Sequence, residues 1–150
     1  MAARVEFHTG LPDPLGYAAR LLRKAHGRGL TALCLAPPPR LEALDRLLWT
    51  FAEREFLPHV RLAGAAAAAL RRTPIWLSAS WSPAPAEGVA ARDVVLNLGG
   101  EMAPGAAAEV RVIELVGADA DEVERGRAAW RRYKAAGFEI VHHPFGAPGG

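Results

Sequence analysis

An α/β domain of three layers around a mostly parallel central sheet is what this sequence predicts, and two observations carry the prediction. Leu30–Ala36 is a continuous apolar run bounded by Gly29 and Pro37, the pattern of a strand buried on both faces. Strand-like segments then alternate with helical ones along the chain, and that alternation places helices on both faces of a parallel sheet. The 150 residues suit one core.

Each element follows from local pattern. Val5-Glu6-Phe7-His8 alternates in the strand sense, and Gly10-Leu11-Pro12-Asp13-Pro14 reads as a turn feeding a helix. Asp13 is the expected N-cap, and Pro14 fits the first helical position because no N–H is needed there. Leu15, Ala18, Ala19, Leu22 and Ala25 recur at helical spacing until Gly27 and Gly29 end the helix. After Leu30–Ala36, the Pro37-Pro38-Pro39 run reads as a stop, and Leu41, Leu44, Leu48 and Phe51 form the apolar stripe of a second helix. Phe56-Leu57-Pro58-His59 is a compact connection. Gly64 and the five alanines after it fit either a helical turn or a loop. Pro74–Ser78, Asp93–Leu98 and Val110–Val116 read as strands, with loop between residues 82 and 87. A long helix is expected over about Ala120–Ala136, with Gly137 as its C-cap and Phe138–Val141 as a short last strand. Residues 1–143 are expected to form one domain and 144–150 a flexible tail.

Composition narrows the function classes. The longest apolar stretch, Leu62–Leu70, is mostly alanine and far short of the roughly 20 residues a membrane span needs. No apolar signal core follows Met1, so a cytoplasmic location is expected. Cys34 lies inside the apolar run and reads as a buried small hydrophobe. Net charge is only +2, too small an excess for an ordinary polyanion binder. The cations are nevertheless uneven: Arg20, Arg23, Lys24 and Arg28 load one segment, and Arg125, Arg127, Arg131, Arg132 and Lys134 another.

Catalytic signatures do not emerge. Gly10 and Gly16 flank Leu-Pro-Asp-Pro-Leu, which matches neither a dinucleotide fingerprint nor a P-loop, and its two prolines remove donors that a phosphate cradle would use. The expected arrangement is therefore Rossmann-like without a nucleotide-binding loop, and no cofactor is expected. Ser78, Ser80 and Ser82 lack a nucleophile elbow. Among the histidines at 8, 26, 59, 142 and 143, only the His142-His143 pair hints at metal; strand neighbours point to opposite faces, and no acidic partner stands at ligand spacing. Glu42, Asp45, Glu53 and Glu55 are scattered as on solvated faces. A non-enzyme is expected.

The last helix says more. At 100° per residue, Gly126, Ala129, Tyr133, Ala136 and, more peripherally, Glu122 share a side suited to close packing on a sheet. Val123, Arg127, Trp130, Arg131 and Lys134 share a sector of roughly 100° running outward from the core boundary. Acids early and cations late also complement the helix dipole. Trp130 beside Arg127 and Lys134 adds what the dipole does not require, a site for an acidic peptide bearing an aromatic ring. Trp49 lies about 130° from the Leu41, Leu44, Leu48, Phe51 stripe, so it is expected to be partly exposed, either as a partner-binding anchor with Phe56 or beneath a neighbouring loop.

These residues resemble a known family, the chi subunit of bacterial DNA polymerase III. The similarity runs over nearly the whole chain, through Val5-Glu6-Phe7-His8, Leu48-Trp49, Phe56-Leu57-Pro58-His59 and Asp93–Leu98. It is sharpest where Glu114-Leu115-Val116 leads into Arg127-x-x-Trp130-x-x-Tyr133-Lys134-x-x-Gly137-Phe138. The resemblance implies a single chi-like domain and a non-catalytic adaptor. Such an adaptor joins the clamp loader, commonly through the psi subunit, and binds the acidic C-terminal tail of single-stranded-DNA-binding protein, so that DNA is met only indirectly and no membrane is involved. By position, Arg127 would clamp the tail's terminal carboxylate, Trp130 and Val116 would wall the pocket for its last ring, and Arg131 and Lys134 would attract its acidic residues. Trp49 and Phe56 would meet psi or an equivalent partner. Val123 stands where some relatives carry a lysine, so either Arg125 or Arg131 compensates or tail affinity is lower. Direct nucleic-acid binding through Arg20, Arg23, Lys24 and Arg28 is the first alternative, and a small nucleotide-dependent enzyme the second.

Overall fold

The computed structural model describes residues 3–50, 57–82, 88–108 and 110–146. In chain order these form β1 (Arg4–Leu11), α1 (Pro14–Gly27), β2 (Ala32–Leu35), α2 (Pro38–Thr50), β3 (His59–Arg61), α3 (Ala67–Arg72), β4 (Ile75–Ser78), β5 (Val94–Asn97), a 3-10 turn (Pro104–Ala107), β6 (Arg111–Gly117), α4 (Ala120–Ala135) and β7 (Glu139–Pro144). The strands make one seven-stranded sheet in the order β3-β4-β2-β5-β6-β1-β7, and every pairing between them is parallel.

The three-layer expectation is met. The central strands β2, β4 and β5 are buried along their whole length, because helices cover both faces of the sheet. On one face α1 and α2 supply Ala18, Ala19, Leu22, Leu41, Leu44 and Leu48 to a core that includes Cys34, Leu77, Leu96 and Leu115. On the other, Leu70 of α3 and Ala129 and Tyr133 of α4 pack on Val5, Phe7, Leu33, Trp76, Val112 and Val116. Cys34 is fully buried, and loss of hydration pushes its thiol up to about 12, which keeps it unreactive.

Local chemistry sets the element ends. The Asp13 carboxylate accepts from the Gly16 N–H at 3.1 Å, and Pro14 opens α1. Asp119 caps α4 in the same way through the Glu122 N–H at 2.9 Å. Gly137 follows α4 at φ +87°, a conformation that only glycine adopts without strain. Two boundaries differ from the sequence reading. The proline run does not stop a helix but starts one, since α2 begins at Pro38, where a missing N–H costs nothing. β7 runs through Pro144, which pairs with Thr9, and the Phe145 N–H donates to the Thr9 carbonyl at 2.9 Å, so ordered structure passes the boundary placed at residue 143.

Candidate functional site

Strand alternation and the order β6-β1-β7 build a hollow beside α4. Phe7 of β1, Val116 of β6 and His142 of β7 all point to the α4 face, and α4 lays Val123, Gly126, Arg127, Trp130 and Arg131 over them. Thr9 and Gly10 complete a cavity of about 450 Å³ at the end of β1. The ring of Trp130 sits 5.0 Å from that of Phe7 and 5.4 Å from that of His142. His142 is held in turn by the Thr9 hydroxyl, with Oγ1 and Nε2 2.7 Å apart. Trp130 is therefore half-buried, one face anchored on Phe7 and the rest walling the hollow.

Close approach of α4 depends on Gly126. A Cβ there would meet Val116 Cγ1 at 2.8 Å, nearer than side-chain atoms tolerate. The helix thus lies low enough for Val116 to form the hollow's inner wall.

The rim is cationic. Arg127 and Arg131 line the hollow and are exposed to solvent, and among the described residues neither has an acidic partner. Lys134 is exposed on the same side of α4 but is not among the lining residues. It stands seven residues beyond Arg127, roughly 10 Å farther along the axis at 1.5 Å per residue. Arg125 points inward instead: its Nε meets Glu122 Oε2 at 3.0 Å, and one terminal nitrogen donates to the Leu115 carbonyl at 2.8 Å.

Beneath the hollow runs a buried polar network. The Tyr133 hydroxyl and the Asn97 amide donate to Glu114 Oε1 at 2.9 and 3.0 Å, and Arg125 stands 4.0 Å from the other oxygen. Glu122 accepts from Arg125, Arg40 and the Gly117 N–H, and these contacts hold its carboxyl below the usual range against the upward pull of burial. At Glu114 burial wins. Desolvation raises the carboxyl above its ordinary 4.5 despite the Tyr133, Arg125, Asn97 and Arg132 groups that favour ionisation.

A raised folded value means that the folded chain holds this proton more tightly than the unfolded one. The associated stability is fully present below about pH 4.5 and is lost as pH rises through the raised value. Glu114→Gln is expected to flatten that slope in urea unfolding performed between about pH 4 and 8. A variant that follows the wild-type slope would remove Glu114 as its source.

The other sequence-derived candidates fall elsewhere. Trp49 is 61% exposed on α2, as its helical angle required, and its ring meets His59 edge-on at 5.1 Å. His59 joins α2 through Asp45 at 2.9 Å. Phe56 lies outside the described residues. Arg20, Arg23 and Lys24 are exposed on α1, and Arg28 is exposed just past its end. Phe7, Thr9, Gly10 and His142 were missed as parts of the hollow. Alternation along β1 and β7 gave their faces, but not that these strands would be neighbours.

The turn after β1 is closed by its own acidic cap. The anion at the N-terminus of α1 is the protein's own Asp13 carboxylate, and a Cβ at Gly16 would collide with it.

Fold and site together define a parallel three-layer α/β protein with an apolar hollow that opens beside α4. A family model described as "DNA polymerase III chi subunit, HolC" matches residues 2–141. The chain belongs to that family, whose members are accessory subunits of the DNA polymerase III holoenzyme. No curated protein matches it by sequence. Among solved structures it is similar to a Saccharomyces cerevisiae Dbp5 variant bound to Nup159, a Gle1 variant, IP6 and ADP, at 12% identity and a TM-score of 0.60, covering 97% of this chain and 42% of that one. A second similar structure, the Dbp5 variant bound to RNA and ADP BeF3, gives 10% identity and a TM-score of 0.61, covering 96% and 42%. The chain thus spans well under half of either neighbour, and at such identities the likeness shows the fold alone. No described helix is long and apolar enough to cross a membrane.

Proposed function

We propose that this chain is a non-catalytic replisome adaptor that links the DNA polymerase III clamp loader, through psi or an equivalent partner, to the acidic C-terminal tail of single-stranded-DNA-binding protein. The supporting observation is an apolar hollow, walled by Phe7, Val116 and Trp130, with two guanidinium groups on its rim that lack acidic partners among the described residues. Lone cations above a ring-sized apolar floor suit a peptide end that offers a ring, a terminal carboxylate and acidic neighbours.

In this reading Arg127 holds the terminal carboxylate and Arg131 supplies the charge absent at Val123, since Arg125 is committed inward to Glu122 and Leu115. Lys134, farther along α4, acts on upstream acidic residues by attraction rather than by contact with the ring. Trp49, exposed and steadied by His59, is the anchor for the clamp-loader partner.

Titration calorimetry with a synthetic acidic tail peptide tests the proposal. Saturable binding is expected with a free C-terminal carboxylate, and at least tenfold weaker binding when the same peptide is amidated. Equal affinity for the two peptides would rule out carboxylate capture at this hollow.

A further inference from the structure

The opposite face of β1 gathers a different set of groups. Glu6 and His8 project toward the α1 layer, where His8 meets Tyr17, and the β1/β7 register places His143 beside His8. Glu6 Oε1 lies 3.7 Å from His8 Nε2 and 3.7 Å from His143 Nε2. All three potential ligand atoms fall within 4.8 Å of one another. A spacing of 3.7 Å is too long for a hydrogen bond. It is close to the roughly 3.4 Å that separates two ligands each about 2.1 Å from a shared tetrahedral ion.

The state of His8 points the same way. Its Nε2 is buried and has no hydrogen-bond partner among the described residues, while its Nδ1 is taken by the Tyr17 hydroxyl. In the tautomer whose Nδ1–H donates to the phenol oxygen, Nε2 carries a lone pair on the side of Glu6 and His143. This is the second-partner arrangement usual for a metal-ligating imidazole. Arg111 plays the corresponding part for the carboxylate. Its Nε grips Glu6 Oε2 at 2.7 Å, and its Nη2 reaches Oε1 more weakly at 3.3 Å, so Oε1 is the oxygen left toward the imidazoles.

We propose that Glu6, His8 and His143 form a binding site for a divalent transition-metal ion of the zinc class. Two imidazoles and one carboxylate suit zinc rather than magnesium or calcium, which take mainly oxygen ligands. Glu6 and His143 border a solvent-open recess with Arg4, Arg111 and Val141, which leaves the fourth position to water or a small anion. Three protein ligands beside a guanidinium give weaker binding than a closed four-ligand structural site. The site would also steady the edge strand: His143 faces the ion while the adjacent His142 faces the Trp130 hollow.

The test uses the untagged full chain, stripped with chelator and titrated with zinc chloride by calorimetry. Saturable uptake of one ion per chain is expected, with at least tenfold weaker binding in His143→Ala and in Glu6→Gln, and unchanged binding in His26→Ala on α1. His143 is partly exposed, so its removal leaves the core intact. Absence of saturable zinc binding by the wild-type chain, or wild-type affinity in a folded His143→Ala variant, would overturn the proposal. Neither result bears on peptide capture at the hollow.

Discussion

Tyr133→Ala is expected to destabilise the fold by about 3–5 kcal/mol, the range for truncating a large buried ring. The side chain is 2% exposed and fills the space between Phe7 and Phe138, at centroid distances of 5.9 and 5.0 Å. Cavity formation is only part of the cost, because the variant also removes the hydroxyl that donates to the buried carboxyl of Glu114. Tyr133→Phe separates the two effects: it keeps the ring, loses the donor and is expected to cost about 1–3 kcal/mol. Since domains are stable by only about 5–15 kcal/mol, the alanine variant should be largely unfolded at modest denaturant concentrations. Urea unfolding followed by circular dichroism checks both numbers. A Tyr133→Ala midpoint close to that of wild type would show that Tyr133 is not the keystone of the α4 contact.

Arg127→Ala is expected to leave stability unchanged and to weaken tail-peptide binding by about 2 kcal/mol, roughly thirtyfold. Stability should not move because Arg127 is exposed and, among the described residues, bonds to nothing within the chain. Affinity should move because a charge-assisted pair at the edge of an apolar hollow is partly shielded from water, where such pairs count for more than on open surface. Arg131→Ala is expected to act mainly on the association rate and its salt dependence, as charges at a rim do. Calorimetry and stopped-flow binding at two salt concentrations separate these effects. Identical peptide affinity in wild type and Arg127→Ala would move the carboxylate contact away from this residue.

Much of the architecture was legible because individual segments carried unambiguous period and punctuation. Leu30–Ala36 showed by its uninterrupted apolar character that the sheet is covered on both faces, and β2 is buried throughout. The two sides of α4 were equally plain: Glu122, Gly126, Ala129 and Tyr133 are buried, although Ala136, past the helix end, is exposed. Short segments were harder. β3 has three residues and no alternation to detect, and the alanines of α3 satisfy helix and loop alike until Leu70 finds the core. Least legible was whatever depends on strand order. The carboxylate beside His143 could not be found along the chain because Glu6 arrives from β1, more than a hundred residues earlier, and Phe7 reaches the floor of the hollow by the same pairing. Periodicity tells a residue which face it occupies, and only tertiary pairing tells it whose company it keeps.

The position of β1 between β6 and β7 also bears on how the chain is made. β1 finds both of its sheet partners much later in the sequence, at Arg111–Gly117 and Glu139–Pro144. Until those two segments have been synthesised Val5 and Phe7 lack their partner strands on both sides, and closure of this part of the sheet waits for them. A nascent chain stalled before β6 would present β1 as an adhesive ribbon with both edges open, so safe folding depends on the segment that carries β6 and β7.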